Sequence, residues 1–230
     1  MRQGMRRIDF VTAKWCKSLV MSGDELQELK RAERARARHM LSRLSPKRRE
    51  QAALDAGKML RFSSVWAACD CLLAYMALGA ELDCAFAIQL ALKENKKVFI
   101  PKVFDGSMVF FRIFSVNGPF EKGQLGIREP VARGGESGTE GAVWGPGRGL
   151  SLALTPGLLF DESGGRLGRG GGYFDRFIRK IRLSEAGVAK PIFIGYAYDE
   201  QVVEKVPRDS GDELLDGVLT DLRFLRHPDG

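Results

Sequence analysis

Hydrophobic and polar positions in the N-terminal half repeat with a spacing of three and four residues, which is typical of amphipathic helices. Ser22 and Glu25 have the spacing of a capping box and predict the start of a first helix. Ser45 followed by Pro46 predicts the start of a second helix, because serine caps helices and proline is tolerated at their first position. Further patterns predict helices over 64–68, over 81–93 and after residue 173.

Short apolar runs between these helices predict buried strands. They cover 69–76, 97–101, 108–114, 152–156, 191–197 and 217–220, of which 108–114 is predicted to be an edge or hairpin strand. We expect Pro101 to end the second run and Pro156 to end the fourth, after which a long loop follows. The alternation of helices and strands predicts an α/β protein with a sheet of about five strands.

Composition allows one large domain and excludes several classes of protein. With 230 residues and 44% hydrophobic content, the chain can bury a full core. The four cysteines form no CxxC pair and there are only two histidines, so we expect no structural zinc site and a reducing, cytoplasmic environment. No apolar signal core and no run of about 18 apolar residues occurs, so we expect no membrane contact.

The net charge of +7 is concentrated near the N-terminus, where residues 1–61 hold 16 Lys and Arg against 7 Asp and Glu. A basic segment of this kind can bind nucleic acid nonspecifically, or it can present a few residues to an anionic small molecule. Composition leaves both interpretations open.

The glycine-rich run from Arg166 to Asp175 carries the most specific chemistry, since it joins a predicted strand to a predicted helix. Glycines let backbone N–H groups approach an anion, the helix N-terminus adds partial positive charge, and Arg166 and Arg169 supply charged donors. The run has neither the ending of a Walker loop nor the Rossmann glycine spacing. A flexible surface loop is the alternative, but the arginines, aromatic pair and acid around the glycines favour a phosphate site.

This loop and several other segments resemble the 5-formyltetrahydrofolate cyclo-ligase family, also called the methenyltetrahydrofolate synthetases. The similar segments follow the family order over roughly residues 25–221 and include Lys30 with Arg34, Leu44-Ser45, 75–81, Pro101, 126–130, Pro156-Gly157, Phe160-Asp161, 166–175, Asp212, Leu215-Asp216 and Thr220. The resemblance implies a three-layer α/β/α fold with a mostly parallel central sheet and basic N-terminal helices. It implies one domain over 25–226, with 1–24 as an extension, 134–149 as a glycine-rich surface insertion and 227–230 as a tail.

The resemblance implies a ligase that uses ATP as co-substrate and requires Mg²⁺. In that family, ATP phosphorylates the formyl oxygen of 5-formyltetrahydrofolate, and the N10 amine attacks the activated carbon to give 5,10-methenyltetrahydrofolate, ADP and phosphate. The reaction needs charge neutralisation around the phosphoryl group and no side-chain nucleophile. We expect a monomer that binds 5-formyltetrahydrofolate, with or without a polyglutamate tail, and no nucleic acid. The alternative is a non-catalytic nucleotide- or nucleic-acid-binding member of the same fold.

The resemblance also implies roles for individual residues. ATP binding is expected of Lys30, Arg34, Arg166, Leu167, Gly168, Arg169, Gly170, Gly171, Gly172, Tyr173 and Phe174, and Arg169 and Tyr173 are the expected catalytic residues. Substrate binding is expected of Met76, Glu81, Arg169, Gly170, Gly171, Gly172 and Tyr173. Mg²⁺ binding is expected of Asp175 and Asp216. Without the resemblance, a solvated basic face explains Lys30 and Arg34, and favourable charge at a helix start explains Glu81 and Asp175.

Three positions depart from the family pattern. Ser151 replaces a common aspartate at the start of the strand that precedes Pro156, Phe174 replaces the second of two tyrosines, and Gly211 replaces a histidine that often precedes the position of Asp212. All three lie outside the glycines and arginines of the loop, so the expected phosphate site remains complete.

Overall fold

The computed structural model of the protein describes residues 21–123, 126–131, 143–147, 149–185 and 187–226. Residues 1–20, the tail 227–230 and most of the glycine-rich segment 134–149 lie outside this range. The assignments of extension, insertion and tail therefore stay predictions.

The described residues form five α-helices and eleven strands. The helices are α1 (Gly23–Ser42), α2 (Pro46–Arg61), α3 (Ser64–Ala68), α4 (Ala85–Lys93) and α5 (Tyr173–Arg182). The strands are β1 (Cys71–Leu73), β2 (Lys97–Phe104), β3 (Ser107–Ile113), β4 (Phe120–Lys122), β5 (Arg128–Pro130), β6 (Ser151–Thr155), β7 (Leu159–Phe160), β8 (Arg166–Leu167), β9 (Ile192–Ala197), β10 (Gly217–Thr220) and β11 (Phe224–Arg226).

Seven strands form the central sheet in the order β11-β10-β9-β6-β1-β2-β3. The four inner pairings are parallel, whereas β2–β3 and β10–β11 are antiparallel at the two edges. This confirms the mostly parallel sheet, and β3 is the edge strand that the sequence predicted. The sheet is wider than about five strands, since β11 was not predicted. Strands β4–β5 and β7–β8 form two separate antiparallel ribbons.

Both faces of the sheet are covered by helices. Leu72 and Val98 belong to a buried cluster with side chains of α1, α2, α3 and α4. The next residue along each of these strands, Leu73 or Phe99, belongs to a second cluster with Phe177 and other residues of α5. Because successive side chains of a strand point to opposite faces, these two clusters are the two sides of a three-layer fold. The implied α/β/α architecture is therefore confirmed.

Helix starts match the sequence prediction at α1 and α2 and differ at α4. The Ser22 hydroxyl accepts from the Glu25 N–H and the Glu25 carboxylate accepts from the Ser22 N–H, so the capping box is present. Ser45 caps α2 in the same way through its hydroxyl. Helix α4 begins at Ala85 and not at residue 81, because Glu81 lies in a turn where its carboxylate accepts from a backbone N–H.

The expectation that Pro101 ends its strand is wrong. Strand β1 pairs only with residues 97–99 of β2, and beyond them β2 is paired only with β3. With one hydrogen-bonded neighbour, the strand tolerates a residue without an N–H, so β2 continues through Pro101 to Phe104. Of the apolar run 69–76, only residues 71–73 form a strand, β1. Residues 74–76 follow β1 and leave the sheet at its carboxyl edge.

Two loop predictions are also modified by the structure. The long loop expected after Pro156 contains the ribbon β7–β8. Trp144, within the expected surface insertion, is only 6% exposed; its ring contacts Phe177 and its indole N–H donates to the Ser151 hydroxyl at 3.1 Å. Trp144 therefore belongs to the core. Ser151, found in place of a common aspartate, accepts its indole hydrogen bond.

Candidate functional site

A cleft of about 590 Å³ lies where the carboxyl ends of β1 and β6 meet the start of α5. Its walls include Met76 beyond β1, Pro156 beyond β6, and residues 168–176. Helix α1 contributes Lys30 and Arg34 from one side. Carboxyl ends of parallel strands are where α/β proteins commonly bind ligands, so this position suits a binding site.

The glycine-rich loop is held by arginines that bind its carbonyl groups. Arg34 Nε donates to Gly168 O at 3.0 Å, and Arg38 Nη2 donates to Arg169 O at 3.4 Å. From the other side, Arg176 Nη1 donates to Gly171 O at 3.0 Å. Because a trans peptide is planar, the N–H that follows each of these carbonyls points away from the arginine.

The N–H groups of the same loop are left available for a ligand. Within the part of the chain that the structure describes, the backbone N–H groups of 168–172 donate no hydrogen bond. Gly172, at the N-cap of α5, has φ 64, a left-handed conformation that favours glycine. Free N–H groups beside a helix N-terminus form a site for an anion such as phosphate.

Arg166 and Asp175 join the two ends of the loop. The Arg166 side chain is buried, and its guanidinium makes an ion pair with Asp175 at 2.7 Å. It also donates to Pro156 O at 3.2 Å and lies 5.7 Å from the centre of the Phe174 ring. Phe174 thus contributes an apolar face where relatives of the expected family often have a second tyrosine.

Arg169 reaches across the cleft to the segment after β1. Its Nε lies 2.6 Å from Glu81 Oε1, and its Nη2 donates to Leu78 O at 2.5 Å. The other oxygen of Glu81 accepts from the Leu78 N–H at 2.9 Å. Glu81 therefore uses both oxygens within the protein and positions the guanidinium of Arg169, which is 35% exposed.

Lys30 is the buried cation of helix α1 and is 3% exposed. Its ammonium group lies 2.7 Å from Asp209 Oδ2 and also contacts Asp212. The hydrogen bond from Lys30 lowers the pKa of Asp209, and the N–H of Gly211 donates to the same carboxylate. Gly211, found in place of a common histidine, thus closes a tight turn between the two aspartates.

Comparison with known proteins adds an independent observation. A model of the 5-formyltetrahydrofolate cyclo-ligase family matches residues 26–221, which is most of the chain. The chain belongs to the 5-formyltetrahydrofolate cyclo-ligase family. This confirms the resemblance described from the loop and its companion segments.

Relatives of this cyclo-ligase family member cover most of its fold. A probable 5-formyltetrahydrofolate cyclo-ligase of Schizosaccharomyces pombe is 29% identical over 169 residues, 70% of this chain and 80% of that protein. The 5-formyltetrahydrofolate cyclo-ligase of Escherichia coli K12 is 29% identical over 148 residues, 64% and 75% of the two chains. The NMR structure of Aquifex aeolicus 5,10-methenyltetrahydrofolate synthetase superimposes with a TM-score of 0.72 at 28% identity, covering 88% and 94%.

The structure brings nearly all the predicted site residues of this family member into one cleft. The cleft is lined by Lys30, Arg34, Met76, Glu81, Arg166, Gly168, Arg169, Gly170, Gly171, Gly172, Tyr173, Phe174 and Asp175. Leu167 is the exception in the loop, because its side chain is buried in the core and its backbone pairs with β7.

Asp216 does not line the cleft, so the structure does not place it with Asp175 as a Mg²⁺ ligand. One oxygen of Asp216 accepts from the Phe193 N–H at 2.7 Å, and the other lies 3.3 Å from Arg182. The bond to Phe193 links the residue before β10 to β9, so Asp216 has a structural role in the sheet.

The sequence interpretation missed several polar residues of the cleft. Asp209, Asp212, Glu129 and Arg176 line it but had no assigned role. Of these, Glu129 and Asp212 lie in segments that resemble the family, which was the available signal. Nothing local marked Asp209, since its partner Lys30 is 179 residues away.

The cleft carboxylates are oxygen donors of the kind that Mg²⁺ prefers. Among the described residues, however, no group of three or more His, Cys, Asp or Glu side chains forms a metal site by itself. Magnesium is commonly held by one or two carboxylates together with substrate phosphates, so the donors present suit a metal that arrives with a nucleotide. No helix in the described ranges is long and apolar enough to cross a bilayer.

Proposed function

We propose that this protein catalyses the ATP-dependent cyclisation of 5-formyltetrahydrofolate to 5,10-methenyltetrahydrofolate, with release of ADP and phosphate. One observation carries the proposal: a single cleft contains both the loop 168–172, with its free N–H groups, and the segment around Met76 and Glu81. A phosphate chain on the loop would therefore lie beside a second ligand in the same cleft. Membership of the cyclo-ligase family supports this pair of ligands.

In this proposal the protein acts by positioning and charge neutralisation. The N–H groups of the loop bind the phosphates, and Arg34 stands next to Gly170, with its guanidinium carbon 3.7 Å from where a Cβ of that residue would lie. Arg169, held by Glu81, places a positive charge between the loop and the segment after β1. Tyr173 lines the cleft beside them, and we assign its hydroxyl to substrate binding or catalysis. These groups offset the charge that develops when a phosphoryl group moves to the formyl oxygen.

We propose Asp175 as a Mg²⁺ ligand, because it lies at the N-terminus of α5 beside the loop. To bind the same ion, Asp216 would have to give up the Phe193 N–H and Arg182. We therefore place the second carboxylate at Asp212, which lines the cleft. When bound, the ion would neutralise charge on the phosphates of ATP.

The nucleic-acid alternative has less support from the basic helices. Lys30 is buried and forms ion pairs with two aspartates, and Arg34 donates a hydrogen bond to the glycine-rich loop. In α2, Arg48 makes ion pairs with Glu200 and Asp221. Much of the positive charge is thus used within the fold, whereas binding to nucleic acid needs cations free to contact phosphates.

Turnover is the direct test of this proposal. The purified protein is incubated with 5-formyltetrahydrofolate, ATP and Mg²⁺, and the methenyl product is followed by its absorbance. We expect product only when all three are present. Absence of product together with salt-dependent binding of nucleic acid would instead support the non-catalytic alternative.

The role of Arg169 is tested by Arg169→Ala. Since removal of one preorganised transition-state donor lowers kcat by about 100- to 1,000-fold, we expect a loss of that size in a variant that stays folded at the assay temperature. Its melting temperature should fall only moderately, because buried Glu81 loses its cation but keeps the Leu78 N–H. The matched control is Arg61→Ala, which removes a half-exposed arginine paired with Glu94 on the surface. Near-normal turnover in Arg169→Ala would remove the residue from the proposed mechanism.

A further inference from the structure

Arg176, in the first turn of α5, binds the peptide groups on both sides of Gly172. Its guanidinium Nη1 donates to Gly171 O at 3.0 Å, and its backbone N–H donates to Gly172 O, also at 3.0 Å. Arg176 lines the cleft, yet the residues of the proposed reaction do not include it.

These two bonds fix the backbone conformation of Gly172. The peptide before this residue sets its φ and the peptide after it sets its ψ, and both peptides are held by Arg176. The resulting φ of 64 and ψ of 10 are left-handed and favour glycine. A Cβ on Gly172 would lie 2.8 Å from Arg176 Nη1, so the guanidinium occupies the space that a side chain would need.

The glycines of this loop need such a restraint. Gly170 has φ 108 and Gly172 has φ 64, whereas φ of Gly171 between them is not positive. Consecutive residues that alternate in hand can form a nest, in which backbone N–H groups converge on an anion. Because glycine adopts positive and negative φ about equally readily, a peptide between two glycines can also reverse its direction at little cost. The reversed peptide would present the Gly171 carbonyl where the Gly172 N–H is needed.

The ring of Tyr173 packs into the same arrangement. The guanidinium carbon of Arg176 lies 4.9 Å from the ring centre, a cation–π contact. On the other side of the loop peptide, a Cβ on Gly171 would lie 3.0 Å from ring atoms Cδ2 and Cε2. Arg176 therefore restrains the aromatic side chain together with the peptide that precedes it.

We propose that Arg176 is a positioning residue: by holding the Gly171 carbonyl, it directs the Gly172 N–H at the phosphates of the nucleotide. In a planar trans peptide the N–H points opposite to the carbonyl, so the bond to Arg176 and a bond to phosphate are compatible. The inference rests on the proposed function, because it concerns the nucleotide of that reaction. Arg176 acts through the backbone, in contrast to Arg169, whose charge is assigned to the transition state.

Calorimetry with a non-hydrolysable ATP analogue and Mg²⁺ provides the first measurement. Without the bond to Gly171, only a fraction of the molecules holds the peptide in the binding orientation, and the affinity falls with that fraction. We expect Arg176→Ala to bind the analogue about 10-fold more weakly, and its affinity for 5-formyltetrahydrofolate to change by less. Arg176→Lys keeps a charged donor and should recover most of the affinity. Equal nucleotide binding by Arg176→Ala and the unaltered protein would overturn the inference.

The matched control is Lys180→Ala, which removes an exposed positive charge from the next turn of α5, outside the cleft. We expect its affinity for the ATP analogue to equal that of the unaltered protein. The same loss in Lys180→Ala as in Arg176→Ala would show that net charge and not the bond to Gly171 is responsible, which would also overturn the inference.

NMR of the ligand-free protein separates peptide positioning from direct contact between the guanidinium and a phosphate. The scalar couplings between the amide and α protons of Gly172 report its φ. We expect the values of a single left-handed conformation in the unaltered protein and in Arg176→Lys, and averaged values in Arg176→Ala. Weaker nucleotide binding with unchanged couplings would indicate direct contact and would overturn the positioning role.

The outcome for Arg176 is independent of the outcome for the proposed function. If the unaltered protein binds the ATP analogue but does not cyclise 5-formyltetrahydrofolate, the proposed function fails, while the comparison of the variants still decides the role of Arg176. Arg176 is an exposed residue, so its substitutions should leave the fold intact, which circular dichroism verifies.

Discussion

Lys30→Met tests whether the buried lysine of α1 holds this helix to the rest of the fold. Lys30 is 3% exposed and contacts Asp209 and Asp212, which belong to the segment before β10. Methionine retains the apolar length of the side chain but removes the charge. The substitution therefore leaves two neighbouring carboxylates without their shared cation, and α1 loses a link to residues about 180 positions away.

The expected loss follows from the burial of the three groups. Removal of one partner from a fully buried ion pair costs about 3–5 kcal/mol. Here the side chains of Asp209 and Asp212 are 34% and 21% exposed, so water can solvate them once the lysine is gone. We therefore expect a loss of about 2 kcal/mol, which lowers the melting temperature of a protein of this size by about 4–8 °C.

The pH dependence gives this prediction a sign. Lys30 lowers the pKa of Asp209, so the folded protein binds the proton more weakly than the unfolded chain does. The resulting stabilisation is present above the usual aspartate pKa of about 4 and is lost as the pH falls through the lowered value. The difference in melting temperature between the variant and the unaltered protein should thus be constant from neutral pH to about 5 and shrink in more acidic solution.

Circular dichroism melting curves measured over this pH range provide the assay. The control is Lys58→Met in α2, where the lysine is 59% exposed and paired with Asp55 one turn away, and we expect almost no change in melting temperature because water solvates both charges. A Lys30→Met melting temperature equal to that of the control would refute the argument. A difference that grows in acid would show that Asp209 is not the group responsible.

Three further predictions concern the loop and the core. Asp175→Asn should raise the Mg²⁺ concentration needed for half-maximal turnover, and it should destabilise the protein by about 1–3 kcal/mol because buried Arg166 loses its charged partner; an unchanged metal titration would exclude Asp175 as a ligand. Gly164→Ala should cost several kcal/mol, of order 3 or more, since its Cβ would lie 2.2 Å from Leu215 O; urea denaturation measures this, and a loss below about 1 kcal/mol would contradict it. Trp144→Ala should cost about 3–5 kcal/mol by the same method, whereas a surface tryptophan would cost almost nothing.

Local sequence signals were sufficient for most of the elements. Ser22 with Glu25 and Ser45 with Pro46 mark helix starts that the structure contains, because capping involves residues within one turn of each other. The apolar runs located the inner strands, since strands buried on both faces are continuously hydrophobic. The glycine-rich loop was recognisable for the same reason: its glycines, arginines and helix start are consecutive in the chain.

Predictions failed where the outcome depends on a neighbour that is distant in sequence. Pro101 could be tolerated only because β1 is too short to pair with that part of β2. Trp144 is buried because its ring packs against Phe177 and its indole N–H bonds to Ser151. The glycine-rich sequence around it predicted a surface position instead. No window of a few residues contains this information.

The amino-acid sequence by itself thus determined the α/β class, the starts of α1 and α2, and the glycine-rich loop with its arginines, because each depends on residues that are close along the chain. Only the tertiary structure decided which charges are free for a ligand. It turned the carboxylate of Asp216 toward β9, satisfied Lys30 with Asp209 and Asp212, and left Glu129 buried without a cation among the described residues. The physical reason is that the energy of a charge depends on its burial and its partners, and folding brings those partners from distant parts of the chain.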